Sequence, residues 1–114
     1  MKVIITLGSN YNQEENIRKA KERLKELFPN ICFSEQKWTE PIAIVSDRFL
    51  NCIATFVTSY PQAIIERYFK QIETELGDSH ENHKNGLVRI DIDLIKYGNK
   101  TIRDIIWLWI SWTR

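Results

Sequence analysis

Arg89-Ile90-Asp91-Ile92-Asp93-Leu94-Ile95 alternates polar and aliphatic residues with a period of two, the pattern of a half-buried β-strand. Side chains on a strand point to opposite faces in turn. Ile90, Ile92 and Leu94 therefore belong to one face, and Arg89, Asp91 and Asp93 to the other. Two carboxylates about 6.5–7 Å apart along a strand repel one another. A cation between them turns that repulsion into a binding site, and an Asp-x-Asp pair on a rigid strand suits Mg²⁺ held against a phosphate-bearing substrate. Solvated acids on an outer face give the same short pattern, so the metal reading depends on the residues around it.

Working outward, Lys2 to Leu7 is β-branched and apolar and reads as a buried strand closing in Gly8-Ser9-Asn10, three turn-favouring residues. Asn12 with Glu15 three residues later has the form of a capping box. Ile17, Ala20, Leu24, Leu27 and Phe28 follow at helical spacing, which predicts a helix over 13–28, broken by Pro29-Asn30. Ile31 to Trp38 reads as a second strand, Glu40 to Arg48 as a loop, and Phe49 to Val57 as a third strand. Ser59 can cap a second helix with Pro61 in its first turn and Gln62 at the capping-box position. Ile65, Phe69, Ile72 and Leu76 give its buried stripe, and Gly77 its terminator. Asp78 to Leu87 is polar and reads as a mobile loop with His80, Glu81 and His83 solvated; the strand 88–97 follows, and Gly98-Asn99 turns the chain.

The order β-α-β-β-α-β is the ferredoxin-like plan, an α+β fold in which an antiparallel sheet carries both helices on one face. Ile90, Ile92 and Leu94 should meet the helices, leaving Asp91 and Asp93 on the open face. On the third strand Leu50, Cys52, Ala54 and Phe56 share the apolar parity, so Phe49 and Asn51 join the carboxylates. An amide, an aromatic ring and two carboxylates on one surface suit a flat polar heterocycle beside a metal-bound phosphate.

The 114 residues fit a single domain spanning 1–114. With 43% hydrophobic and 27% charged residues the composition is that of a globular protein, and a net charge of +1 supplies no global field for nucleic acid or anionic membrane. An acidic open face would itself repel nucleic-acid phosphate. Cys32 and Cys52 read as reduced core thiols of a cytoplasmic protein, with a disulfide between neighbouring strands left open. No secretory signal pattern and no run of membrane-spanning length is visible.

Gly8-Ser9-Asn10 after the first strand, Phe49-Leu50-Asn51 opening the third, Glu73 late in the second helix, and Asp91-x-Asp93 followed by Tyr97-Gly98 resemble, in order and spacing, the hydroxymethyl-dihydropterin pyrophosphokinase family over residues 2–99. The resemblance implies the ferredoxin-like fold and transfer of a diphosphate from ATP, as co-substrate, to a pterin alcohol. It implies that Asp91 and Asp93 hold two Mg²⁺ ions bridging the ATP phosphates, that Asn51 binds the pterin with Phe49 lining its pocket, and that Thr39, Pro41 and Ile42 form the loop facing the ring. It sets Glu73 near the nucleotide and makes Gly8-Ser9-Asn10 mainly structural.

The family's arginine three residues before the first metal Asp is Val88 here; Arg89, one place later, would substitute for it in nucleotide binding and catalysis, or simply pair with Asp91. In the loop where the family carries further arginines, Lys84 is the remaining strong cation. Typical members continue for tens of residues with a Pro-His pair and an Arg on ATP. Nothing in the apolar tail 100–114, which ends Ile105-Ile106-Trp107-Leu108-Trp109-Ile110-Ser111-Trp112-Thr113-Arg114, matches that segment. The expectation is a C-terminally shortened member whose tail packs on the domain, with a homodimer contact as the second reading and a tail without a selected role as the third. The alternative to catalysis is a pterin-binding or assembly module that lost its ATP grip.

Overall fold

The computed structural model describes residues 1–40 and 47–105. Within them the elements run β1 (Lys2–Ser9), α1 (Gln13–Leu27), β2 (Cys32–Phe33), β3 (Lys37–Thr39), β4 (Phe49–Val57), α2 (Gln62–Glu75), α3 (His80–Lys84), β5 (Asp91–Tyr97) and β6 (Lys100–Thr101). The sheet order is β2-β4-β1-β5-β6, with β3 also paired to β4, and every pairing is antiparallel. β1 therefore sits between β4 and β5, the arrangement a split-βαβ connection produces.

The alternation read from the sequence decides the layers. Val3, Ile5 and Leu7 of β1, Leu50, Cys52, Ala54 and Phe56 of β4, and Ile92 and Leu94 of β5 join one buried cluster with Ile17, Ala20 and Leu24 of α1 and Ile65, Phe69 and Ile72 of α2. Both long helices thus cover the same face, and the opposite parity of each strand is left for other uses. α2 ends as its glycine predicts. Gly77 has φ +86, its N–H donates to the Thr74 carbonyl at 3.0 Å, and the Asp78 N–H reaches the Glu73 carbonyl at 2.9 Å, a double closure that favours Gly.

Several local expectations are corrected. Asn12 adopts a left-handed backbone (φ 44) and makes no side-chain cap bond; Asn16 Nδ2 instead donates to the Tyr11 carbonyl at 2.7 Å. α2 begins one residue after Pro61, whose ring fixes an extended N-cap, so Ser59 stands too early to cap it. The predicted second strand is two short pieces, β2 and β3. Ser34 Oγ accepts the Ile53 N–H at 2.8 Å where a backbone carbonyl would otherwise sit, the local competition that hydroxyl side chains offer to a ladder. Asp78 to Leu87 is not irregular throughout: Ser79 Oγ accepts the Asn82 N–H at 3.1 Å and starts α3. β5 begins at Asp91, not Val88. Both thiols are free, and Cys32 is exposed rather than in the core. Among the described residues no helix is long and apolar enough to cross a membrane. Pro41, Ile42 and the tail from Ile106 onward lie outside the described residues.

Candidate active site

Strand register assembles the open face. Gly8 of β1 stands opposite Asn51 of β4 on one side and Asp91 of β5 on the other, and Lys37 of β3 continues the row beyond Asn51. Directly opposed residues share a face. The next row, two residues along, holds Ile53, Thr6 and Asp93. With strands about 4.8 Å apart, the backbones of Asn51 and Asp91 lie about 10 Å apart across Gly8, room for a flat bicyclic ring. Gly8 keeps that room open: a Cβ there would stand 2.9 Å from Asn51 Oδ1 and 3.7 Å from the Phe49 ring. Asn51 is 4% exposed, and its Nδ2 donates to Thr39 Oγ1 at 2.6 Å. One amide hydrogen is thereby fixed, which orients the rest of the group. Phe49, half-buried, completes this end.

The carboxylates border a cavity of about 530 Å³ at the outer edge of β5. It is lined by Lys70 and Glu73 of α2, Asp78, His80 and His83 around α3, Asp91 to Leu94, and Ile102 and Arg103, among others. Burial raises the pKa of Asp91, partly offset by a hydrogen bond with Asp93. Asp93 is pushed up to about 6, first by burial and then by the charge of Asp91, against the opposing charge of Arg103. Arg103 Nη1 lies 2.9 Å from Asp93 Oδ1. A register shift between Ile4 and Ile5 leaves Ile95 unmatched on β5, and its carbonyl accepts the N–H groups of Ile102 at 2.7 Å and Arg103 at 3.3 Å. That bulge is what seats the chain after β6 beside the carboxylates.

Two like charges held in partial burial with raised pKa values form a donor pair that a divalent cation would relieve. Among the described residues no group of three His, Cys, Asp or Glu could hold a metal alone. That donor set fits Mg²⁺, which is held through one or two carboxylates with water and substrate phosphate completing its shell. Glu73, buried and with a raised pKa caused first by desolvation, accepts the Ile92 N–H on Oε2 at 2.8 Å. It lines the same cavity while pinning the strand edge.

The structure treats the other expected residues differently. Arg89 does not pair with Asp91. Its guanidinium lies 4.7 Å over the Tyr11 ring, its Cδ would be 3.3 Å from a Cβ on Gly77, and its buried Nε has no partner among the described residues. A planar cation stacks well on an aromatic face, which explains the preference. Lys84 is exposed at the end of α3 and does not line the cavity. His83, expected to be solvated, donates from Nε2 to Asp78 Oδ2 at 2.5 Å. Lys70, Asp78, His83 and Arg103 reach the cavity, and Gly8 spaces the open face, without any motif marking them for these roles. The adjacency of Asp78 to the helix-ending Gly77 is the one local signal available.

A family model described as 7,8-dihydro-6-hydroxymethylpterin-pyrophosphokinase (HPPK) matches residues 4–110, extending past Asn99, where the resemblance read from the sequence ends. The folate synthesis bifunctional protein of Arabidopsis thaliana is 30% identical over 106 residues, covering 88% of this chain and 21% of that relative. The chain thus spans about a fifth of the length of the curated relative it matches.

Proposed function

This chain belongs to the 7,8-dihydro-6-hydroxymethylpterin-pyrophosphokinase family, and on that premise we propose that it transfers a diphosphate from ATP to 6-hydroxymethyl-7,8-dihydropterin, giving AMP and the pterin diphosphate in folate biosynthesis. The observation that carries this reading is the row Asn51–Gly8–Asp91, an oriented amide and a carboxylate on one face with an open glycine between them.

Asn51, its amide turned by Thr39, addresses the polar edge of the heterocycle, and Phe49 lies along its apolar surface. The family resemblance assigns Pro41 and Ile42, which lie outside the described residues, to pterin binding. Asp91 and Asp93 would hold Mg²⁺, two ions on the family pattern; when bound, the metal neutralises charge on the triphosphate. Lys70 and Arg103 add positive charge at the cavity wall. Phosphoryl-type transfer asks a protein mainly for alignment and charge neutralisation, and this chain's part is to hold ring and phosphates at the two ends of the Asn51–Gly8–Asp91 row. The hydroxymethyl oxygen bonds to the β-phosphorus as its proton is lost. The bond from that phosphorus to the oxygen bridging the α-phosphate breaks, and AMP departs with the bridging oxygen.

The test is AMP release from ATP and Mg²⁺ with and without the pterin alcohol, using the double variant Asp91→Asn/Asp93→Asn as the comparison. The expected loss is about a thousandfold, the several kcal/mol of charge stabilisation that a bound metal supplies. Equal AMP release by the double variant and the parent overturns the assignment.

A second reading, a pterin-binding module without transfer, draws on one observation: among the described residues, the strong cations at the cavity, Arg103 and Lys70, already face a carboxylate. Arg103 pairs with Asp93 at 2.9 Å, and Lys70 lies 3.9 Å from Glu73. Pterin binding in titration with no AMP from folded protein would select it.

A further inference from the structure

The backbone that leads into β5 makes one main-chain bond to the residue just past β1, the Asn10 N–H to the Val88 carbonyl at 2.9 Å, and its own N–H groups are held by side chains. Asn10 Oδ1 accepts the Val88 N–H at 2.6 Å. Asp78 Oδ1 accepts the Arg89 N–H at 2.8 Å and the Ile90 N–H at 3.4 Å. The other oxygen of Asp78 receives the His83 Nε2–H at 2.5 Å, and the Asp78 side chain is 5% exposed. A carboxylate only accepts, so the imidazole carries the hydrogen on Nε2. Three donors from two segments of chain thus converge on one buried carboxylate. Nothing in the closure of α2 requires this side chain, because Gly77 and the Asp78 main chain make those bonds.

We propose that Asp78 is a positioning residue for the metal-binding strand. Its carboxylate ties α3, through His83, to the backbone of Arg89 and Ile90, and so fixes where Asp91 and Asp93 point. This rests on the reading of those two aspartates as cation ligands. Residues that orient metal ligands through hydrogen bonds commonly change metal affinity by about 10–100-fold when removed. Asp suits the position because a short carboxylate offers about four acceptor sites, and two of its donors are backbone groups that cannot be released to water without cost.

The experiment compares Asp78→Ala, Asp78→Asn and His83→Ala in the full chain. Two quantities are read: the affinity for Mn²⁺·ATP, and amide hydrogen exchange resolved at Arg89 and Ile90. Asp78→Ala is expected to weaken Mn²⁺·ATP about tenfold and to speed exchange at both amides. Asp78→Asn keeps an acceptor for the two N–H groups and lets the imidazole adopt its other tautomer, so it should restore most of both. Equal loss in Asn and Ala would assign the effect to charge and overturn the proposal, as would an Ala variant with unchanged affinity and exchange. Should Asp78→Ala fail to fold, His83→Ala decides on folded protein: Mn²⁺·ATP weakened toward about tenfold supports the link, and unchanged affinity removes it. A parent protein that binds no Mn²⁺·ATP would sink the metal reading instead. The clamp would then be judged on exchange alone, with unchanged Arg89 and Ile90 amides in the variants counting against it.

Discussion

β4 and β5 flank the same strand, β1, and are held in different ways. β4 runs against β1 in unbroken register from Lys2↔Val57 to Ser9↔Leu50. Each bond in that ladder is backbone to backbone and indifferent to which residue stands there. β5 makes a shorter ladder interrupted by a bulge, and its entrance and outer edge rest on Asn10, Asp78 and Glu73. The β1–β4 ladder is therefore robust to side-chain chemistry and sensitive to volume, and side chains enter on that half at the outer edge of β4, where Ser34 Oγ accepts the Ile53 N–H and Asn30 Oδ1 the Val57 N–H. The half that carries the carboxylates is sensitive to single polar groups.

Substitutions can break or sharpen this contrast. Leu7→Ala, at a 1% exposed site beneath the β1–β4 ladder, should cost roughly 2–5 kcal/mol in denaturant unfolding. A loss under 1 kcal/mol would mean the inner half is not packing-limited. Asn51→Ala should weaken pterin binding by roughly 1–3 kcal/mol, the loss expected when a buried hydrogen-bond partner is removed, and an unaltered calorimetric titration would take Asn51 out of the site.

The third concerns acidity. Asp93 has a folded pKa of about 6 against an ordinary value of 3.8, so the folded chain binds its proton more tightly than the unfolded chain does. The resulting destabilisation is full above pH 6 and relieved as pH falls toward 4. Asp91 and Glu73 shift in the same direction. In EDTA, Asp93→Asn should be more stable than the parent at pH 7 by about 1–2 kcal/mol, and the difference should shrink by pH 4. Thermal melts at pH 4, 5, 6 and 7 check this, and taking the difference cancels the exposed carboxylates Glu15 and Glu75, whose pKa values arginine hydrogen bonds lower. The smallest effect belongs to Gly8→Ala. Its Cβ would press on the Asn51 amide, so pterin affinity should fall about tenfold while stability changes by about 1 kcal/mol. Equal pterin affinity would show that the open row does not seat the ring.

The sequence made the faces legible because alternation is local. The bounds of β4 follow from its run of β-formers, and the separation of Asp91 and Asp93 from Ile92 and Leu94 follows from period two. Glu73 on Ile92, Asp78 on Arg89 and Arg103 on Asp93 were not legible, since each joins residues ten or more apart through folded packing. α3 is not legible in the sequence because five residues are too few for a periodic signal, although Ser79 is a favourable cap. Arg89 shows the limit from the other side. Its parity places it with the carboxylates, but the Tyr11 ring captures the guanidinium first.

The Glu73 carboxylate on the Ile92 N–H has a second consequence, for life at high concentration. Among the described residues β5 borders β6 at Lys96 and Tyr97, which leaves its Asp91–Leu94 stretch, within that set, as a sheet edge that a stranger's strand could extend. With the Ile92 donor already engaged at 2.8 Å and a fixed acid guarding the border, an incoming strand would find an occupied bond and a charge to desolvate. The acid that stiffens the cavity wall thereby also makes this edge a poor template for aggregation.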